Sequence, residues 1–402
     1  MTNTLLTSAQ WAVSEFALAE LGDQRRTQRL VKIATNLARN PGGTLPQAFP
    51  EWTDLKAAYR FFDQPKVTFE QIQSSHWQRT REACHQPGEY LLIEDTSELD
   101  YTDHPATEEM GSIGDGKGRG LLLHSTLALR LEGWDGEERP QGIALGLLRQ
   151  QCWSRWGRPQ RKQETRRQLM NRSRESQRWA VALEEGGPPT GCTWIYITDR
   201  EGDFYEPIER CQRQKVDFII RGFHDRVLSE GAGHLNEAVA KAPVCGCLSV
   251  ELRARAGRAA RVAQVKVRTL RLSFKGPRRP SGKQPDFQAN VVEVREVGAP
   301  EGSEPLHWLL LTSLPCHTWA QVRRVIRLYA MRWCVEEYHK ALKSGAGVED
   351  SQMERAYRIE TLVAVLAVVA VRLLNTKWLA RTRPDEPVDP KVFGSAMLAI
   401  LT

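Results

Sequence analysis

Thr193-Trp-Ile-Tyr-Ile-Thr198 is apolar at successive positions, not alternate ones, so a strand there buries both of its faces and belongs in the middle of a sheet. A sheet covered on both faces needs helices to cover it, which restricts the chain to layered α/β architectures. Asp199 follows at once, then a turn at Gly202 and Asp203-Phe-Tyr-Glu206, which reads as a helix start with a capping box. Upstream, Tyr90-Leu-Leu-Ile93 ends in Glu94-Asp95, and residues 124–131 and 142–148 read as two further strands joined across Gly136 and Pro140. A polar helix is expected over about 163–185, and another strand over 216–221. The order is three strands, a helix, a strand, a helix and a strand, with Asp95 and Asp199 terminating strands that can be neighbours.

The flanks have a different texture. Residues 1–68 read as short helices broken by Gly22, residues 41–43 and Pro46, with Arg25, Arg26, Arg29, Lys56, Tyr59 and Arg60 among their polar positions. Such a segment suits a small helical DNA-reading module, and equally a solvated helical cap. The first part of the core is expected over 69–224, a β-rich insertion over 225–320 with alternating segments at 261–274, 290–297 and 307–312, and the second part of the core over 321–375. Residues 354–381 read as one helix or two. Within them the apolar run at 362–371 stops at Arg372, too short for a bilayer and suited to a buried helix. Residues 376–402 are expected to form a partial C-terminal region, with an apolar segment at 392–401 after three prolines.

Residues 329–343 (Tyr-Ala-Met-Arg-Trp-Cys-Val-Glu-Glu-Tyr-His-Lys-Ala-Leu-Lys) predict a single helix. At 100° per residue Tyr329, Arg332, Glu336 and Lys343 share an arc of about 60°, opposite Met331, Cys334, Tyr338 and Leu342. A phenol, a guanidinium, a carboxylate and an ammonium on one face suit a phosphodiester backbone with a metal-binding carboxylate among them. The bland alternative is a solvated face of i,i+4 ion pairs, Arg332 with Glu336 and Glu336 with Lys340. Asp95, Asp199 and Glu336 together offer the hard oxygen ligands that two Mg²⁺ or Mn²⁺ ions about 3.5–4 Å apart require. Either aspartate alone also suits a turn cap.

Charge points the same way. Fifty-six Lys and Arg against 49 Asp and Glu give a net charge of +7, which favours a polyanionic partner. The excess is local: residues 155–178 hold nine Arg or Lys against Glu164 and Glu175, and residues 253–283 hold eleven with no acid. In the second segment Lys266 and Arg268 alternate with Val265 and Val267, which presents the charge outward. The eight cysteines are scattered and lack zinc-site spacing, so they are expected to be reduced. With no signal peptide pattern, the expected setting is cytosolic, with no membrane partner.

At these residues the chain resembles the bacterial insertion-sequence DDE transposases, the group named for its Tyr-Arg-Glu-Lys signature. Tyr329, Arg332, Glu336 and Lys343 meet Tyr-x₂-Arg-x₃-Glu-x₆-Lys, and the likeness runs on to Gly347. Ile93-Glu-Asp-Thr96 and Asp199-Arg-Glu-x-Asp203 resemble the segments holding the family's two aspartates; Leu21-Gly-Asp-x-Arg-Arg-Thr-x-Arg-Leu30 and Ala58-Tyr-Arg-Phe61 resemble its end-binding domain. The resemblance implies a ribonuclease-H-like mixed-sheet core with an all-β insertion, an N-terminal helical DNA-binding domain and a short helical C-terminal part. It implies metal-dependent cleavage at transposon ends and strand transfer, with Asp95, Asp199 and Glu336 as catalytic metal ligands, Arg332 and Lys343 holding phosphates and Tyr329 hydrogen-bonding one. Trp308 would stack a base flipped from the end, where the residue alone suggests a core tryptophan, and Arg221 would contact DNA. The implied partners are double-stranded transposon ends and target DNA, and a second copy of the chain in the synapse. Family members carry a longer C-terminal helical region that joins the two subunits, so a chain ending at Thr402 is expected to be a monomer in free solution. Two other activities fit the same residues: a nuclease that cuts without joining, and a non-catalytic derivative that occupies ends and inhibits transposition.

Overall fold

The computed structural model describes residues 6–136, 139–155, 175–252, 259–279, 282–382 and 385. Five helices open the chain: α1 (Ser8–Phe16), α2 (Gln24–Arg39), α3 (Leu45–Ala48), α4 (Trp52–Phe62) and α5 (Phe69–Ala83). Three of their starts repeat one local device, Thr-x-x-Gln. The threonine hydroxyl takes the backbone N–H of the glutamine, and the glutamine side chain returns to the threonine N–H, at Thr7/Gln10, Thr44/Gln47 and Thr68/Gln71. Trp11 and Phe16 of α1 bury against Leu30, Ile33 and Leu37 of α2 in the main core.

Ten strands form one sheet: β1 (Gly88–Asp100), β2 (Gly111–Ile113), β3 (Gly118–Trp134), β4 (Pro140–Trp153), β5 (Cys192–Thr198), β6 (Asp217–Arg221), β7 (Val244–Leu252), β8 (Arg261–Phe274), β11 (Phe287–Glu296) and β12 (His307–Thr312). The order is β2-β3-β1-β5-β6-β12-β11-β8-β7, with β4 paired to β3. β9 (Arg278–Arg279) and β10 (Gly282–Lys283) make a separate two-stranded ribbon. β1, β5 and β6 run parallel at the centre, as the doubly apolar Trp194–Ile197 run requires. The sheet is mixed and ribonuclease-H-like. The β-rich stretch continues it directly, because β12 pairs antiparallel with β6, and it also holds a short helix, α7 (Leu235–Lys241).

Strand alternation sends Leu91, Ile93, Ile195 and Ile197 to a face covered by α5, α8 (Trp319–Ala330), α9 (Trp333–Lys340) and α10 (Ala356–Thr382), and sends Tyr90, Leu92, Trp194 and Tyr196 to a face covered by α6 (Tyr205–Gln214) and α7. α10 is one helix, not two. Among the described residues it alone is long and apolar enough to cross a membrane, but 89% of its most apolar window lies inside the protein. It serves as the core helix of the first face.

Several expectations change here. Asp95 does not end a strand: β1 loses its parallel partner after Glu94 opposite Thr198, yet stays paired with β3 from Asp95–Ser125 to Asp100–Gly120. The helix expected to end at 185 finishes as two 3₁₀ turns, Glu175–Arg178 and Val181–Glu185, broken by Ala180 at φ 58°; residues 156–174 and the apolar segment 392–401 lie outside the described residues. Asp203 makes no capping box. Its buried carboxylate accepts the N–H groups of Phe223 (2.8 Å) and His224 (2.9 Å) and the Arg226 guanidinium, so it holds the loop after β6.

One half-buried acid on α10 gives a pH-dependent test of this packing. Burial, with Glu70 and Glu109 adding negative charge, pushes the Glu360 carboxyl up to about 7. An acid whose pKa is raised by folding favours the folded state below its unfolded pKa of 4.5, and that advantage is lost as pH rises toward 7. Glu360→Gln should therefore raise the thermal midpoint at pH 8 and leave it nearly unchanged at pH 4.5. Equal shifts at both pH values would rule out ionisation as the cause.

Candidate active site

The signature segment is not one straight helix. Between α8 and α9 the backbone tightens to i→i−3 hydrogen bonds, Met331 to Leu328 (3.0 Å), Arg332 to Tyr329 (2.9 Å) and Cys334 to Met331 (2.9 Å). A π turn over Ala341–Gly345 follows α9. Tightening and widening change the rotation per residue along this segment, which a fixed 100° step does not capture. Tyr329 points inward, 3% exposed. Its ring meets Trp308 edge-on at 5.0 Å, and its buried hydroxyl lies against the Arg221 and Arg332 guanidinium groups. Lys343, on the π turn, pairs with Glu349 at 3.2 Å. Tyr329, Arg332 and Glu336 line one cavity, with Tyr329 turned inward, while Lys343 lies further along and is held by Glu349.

Arg332 is the hub. Its guanidinium bonds Glu336 and lies 3.8 Å from the Asp95 carboxylate. Because Glu94 lies opposite Thr198, Asp95 on β1 and Asp199, just past the end of β5, come next side by side. Burial, with Asp199 and Glu336 adding negative charge against the opposing Arg332, pushes the Asp95 carboxyl up to about 8. Asp199 also accepts the Glu201 N–H at 2.8 Å, capping a 3₁₀ turn. Among the described residues no three His, Cys, Asp or Glu side chains converge as a ligand set, since Arg332 stands between Asp95 and Glu336. The donor chemistry still fits divalent ions: hard carboxylate oxygens from two neighbouring strands and a helix, gathered by a shared positive charge.

Beside Arg332 and Glu336 opens a cavity of about 490 Å³ lined by Trp308, Tyr329, Trp333, Arg200, Arg221 and Arg381, among others. Trp308 is half-buried, so it is neither a core tryptophan nor a free one. Arg221 donates to the His307 carbonyl (2.8 Å), and burial lowers its pKa.

The other predicted contacts lie elsewhere. Arg25 is exposed and pairs with Asp23 at 3.0 Å; Arg26 donates to the Leu21 carbonyl at 2.9 Å; Arg29 pairs with Asp54 at 3.1 Å. Tyr59 and Arg60 are exposed on α4. On β8, Lys266 is exposed as expected, but Arg268 is bound to Glu293 at 2.7 Å and Arg261 to Glu296. The acid-free segment thus draws counter-charges from β11 and also from Glu206 and Asp286, and its one-sided excess is smaller than its own sequence suggests.

Two groups were missed by sequence reasoning. His339 is buried, with Nδ1 3.8 Å from Asp95, and burial pushes its pKa down to about 3; its place seven residues after Arg332 was the available signal. Glu94, 1% exposed, accepts from Thr126 (2.7 Å), Ala180 N–H (2.7 Å) and Tyr196.

Residues 8–67 match the transposase DNA-binding family, and residues 194–372 match the transposase DDE domain family. The second range holds Asp199 and Glu336; Asp95 lies before it. The mixed sheet, the helical N-terminal region and these two matches agree, and the chain carries a transposase DNA-binding domain followed by a transposase DDE domain.

Proposed function

We propose that the chain is a DDE transposase of the Tyr-Arg-Glu-Lys group, of the transposon-five kind, that cuts transposon ends and joins them to target DNA. What supports this most is the meeting of Asp95, on β1, and Asp199, just past the end of the adjacent β5, with Arg332 and Glu336 of the signature. Asp95, Asp199 and Glu336 would hold two Mg²⁺ or Mn²⁺ ions, which when bound supply Lewis-acid activation of the nucleophile and the phosphate. Water attacks an end phosphodiester and displaces the 3′-oxygen; the freed 3′-hydroxyl then attacks a second phosphodiester, forming one P–O bond as another breaks. Arg332 would turn from the carboxylates to phosphate, with Lys343 beside it and Tyr329 supplying a hydroxyl donor. Arg221, Trp308 and the cavity would take the distorted end. Arg25, Arg26, Arg29, Tyr59 and Arg60 of the N-terminal helices, together with Lys266 and Arg268, would contact duplex DNA, and two chains would act together in the synapse.

The test is incubation with a duplex bearing the inverted repeats that flank its gene, plus a target plasmid, in Mg²⁺, Mn²⁺ and no metal. Nicked ends that become joined to target support the reading. Nicks without joining leave a nuclease, and bound but intact ends leave an inhibitor. Within the signature, Lys343→Ala should slow cleavage by about tenfold or more while Lys340→Ala, at an exposed position, costs far less. Equal or reversed defects would sink the register.

A further inference from the structure

The turn at residues 41–43, between α2 and α3, lies inside the matched DNA-binding range and packs on the turn that follows Lys343. Gly42 has φ +75° and Gly347 φ +62°, a region that disfavours any side chain. A Cβ on Gly42 would stand 3.1 Å from the Gly345 carbonyl oxygen, and one on Gly347 would stand 3.3 Å from both the Cα and the carbonyl oxygen of Gly42. The contact between the two turns is backbone against backbone, although a Cβ on Gly347 would also stand 3.3 Å from the Asp350 carboxylate.

The same turn is tied to the sheet on its other side. The Tyr101 hydroxyl donates to the Val348 carbonyl (2.6 Å), and Glu349 accepts the Asp100 N–H (2.9 Å) while pairing with Lys343. Asp100 ends β1, the strand that carries Asp95. The segment bearing Lys343 is therefore clamped between the DNA-binding region and the strand of the first aspartate. Movement of the 41–43 turn has no soft element to absorb it before it reaches the π turn.

We propose that Gly42 is a positioning residue for Lys343, through which the seating of DNA on the N-terminal helices sets the lysine against the phosphate. This rests on the proposed role of Lys343 in cleavage. The coupling runs within one chain and acts on the rate of cutting, not on affinity for the end.

The test compares Gly42→Ala with Gly302→Ala, which carries the same backbone strain (φ +75°) but would meet nothing within 4 Å. End binding is read by titration and cleavage by single-turnover rate at saturating DNA, with thermal midpoints of both variants measured alongside. Gly42→Ala should lower the cleavage rate about tenfold or more at unchanged affinity, and Gly302→Ala should leave it near wild type. In a Lys343→Ala background, Gly42→Ala should add little, because the two act as one unit. A full additive loss in that background, or equal effects of the two glycine variants, overturns the proposal. If Lys343→Ala cleaves normally, the proposed role of the lysine fails first. Should Gly42→Ala lower the thermal midpoint more than Gly302→Ala, Gly347→Ala gives the same comparison from the opposite side of the contact, and additivity there with Lys343→Ala also overturns it.

Discussion

Asp199→Ala is expected to reduce end cleavage about 10³-fold or more, since a metal clamp on a phosphoryl centre supplies several kcal/mol at about 1.4 kcal/mol per tenfold. Asp95→Ala and Glu336→Ala should lose comparably, all three retaining end binding, because the N-terminal helices are untouched. The alanine variant alone would not separate chemistry from folding at Asp199, where the carboxylate also caps the turn at Glu201. Asp199→Asn keeps a cap acceptor and removes the charge. Loss of cleavage in Asp199→Asn with an unchanged thermal midpoint assigns the role to charge. Normal cutting by Asp95→Ala would show that the site lies elsewhere.

The parts of the fold that could be read in advance are those fixed by neighbours in sequence. Trp194 to Ile197 is apolar on both faces and is a central strand. The Thr-x-x-Gln starts need only residues three apart, and the alternation of Val265, Lys266 and Val267 is a property of one strand. The misreadings fall where distant partners decide. Asp203 looked like a local cap, but Phe223, His224 and Arg226 supply three donors from a loop twenty residues on. Arg268 looked free until Glu293 was placed across from it by the β8–β11 register. β1 runs past Asp95 because β3 continues beside it after β5 has ended. Within the site, the residue types and spacing of the signature were legible. The inward turn of Tyr329 was not, because it depends on a shift from i→i−4 to i→i−3 bonding over a few residues, which hydrophobic periodicity does not record.

Glu94→Ala should destabilise the protein by about 3–5 kcal/mol, because it strips the acceptor from several buried donors at once. Glu94 and Asp95 are consecutive on β1 and so point to opposite faces. Asp95 faces Arg332 and His339, whereas Glu94 faces Thr126, Tyr196, Ala180 and, at 3.6 Å, His124. Burial pushes the Glu94 pKa up, but its neighbours outweigh this and hold it below the ordinary value of 4.5. A depressed carboxylate contributes stability above the unfolded pKa and loses it as pH falls through the folded one. Glu94→Gln places an amide NH₂ among donors, so it too should unfold more easily than wild type at pH 7. That gap should narrow as pH falls below about 4.5, where the carboxyl of the unfolded chain takes up its proton before the folded one does. The folded fraction of Glu94→Gln should still cut DNA, since no part of Glu94 reaches the Arg332 side of the sheet. Denaturant unfolding at pH 7 and pH 4, with cleavage normalised to folded protein, reads both halves of the claim. A stable Glu94→Gln that fails to cut would move Glu94 into the catalytic set, and an unchanged midpoint in Glu94→Ala would show that its hydrogen bonds do not hold the sheet.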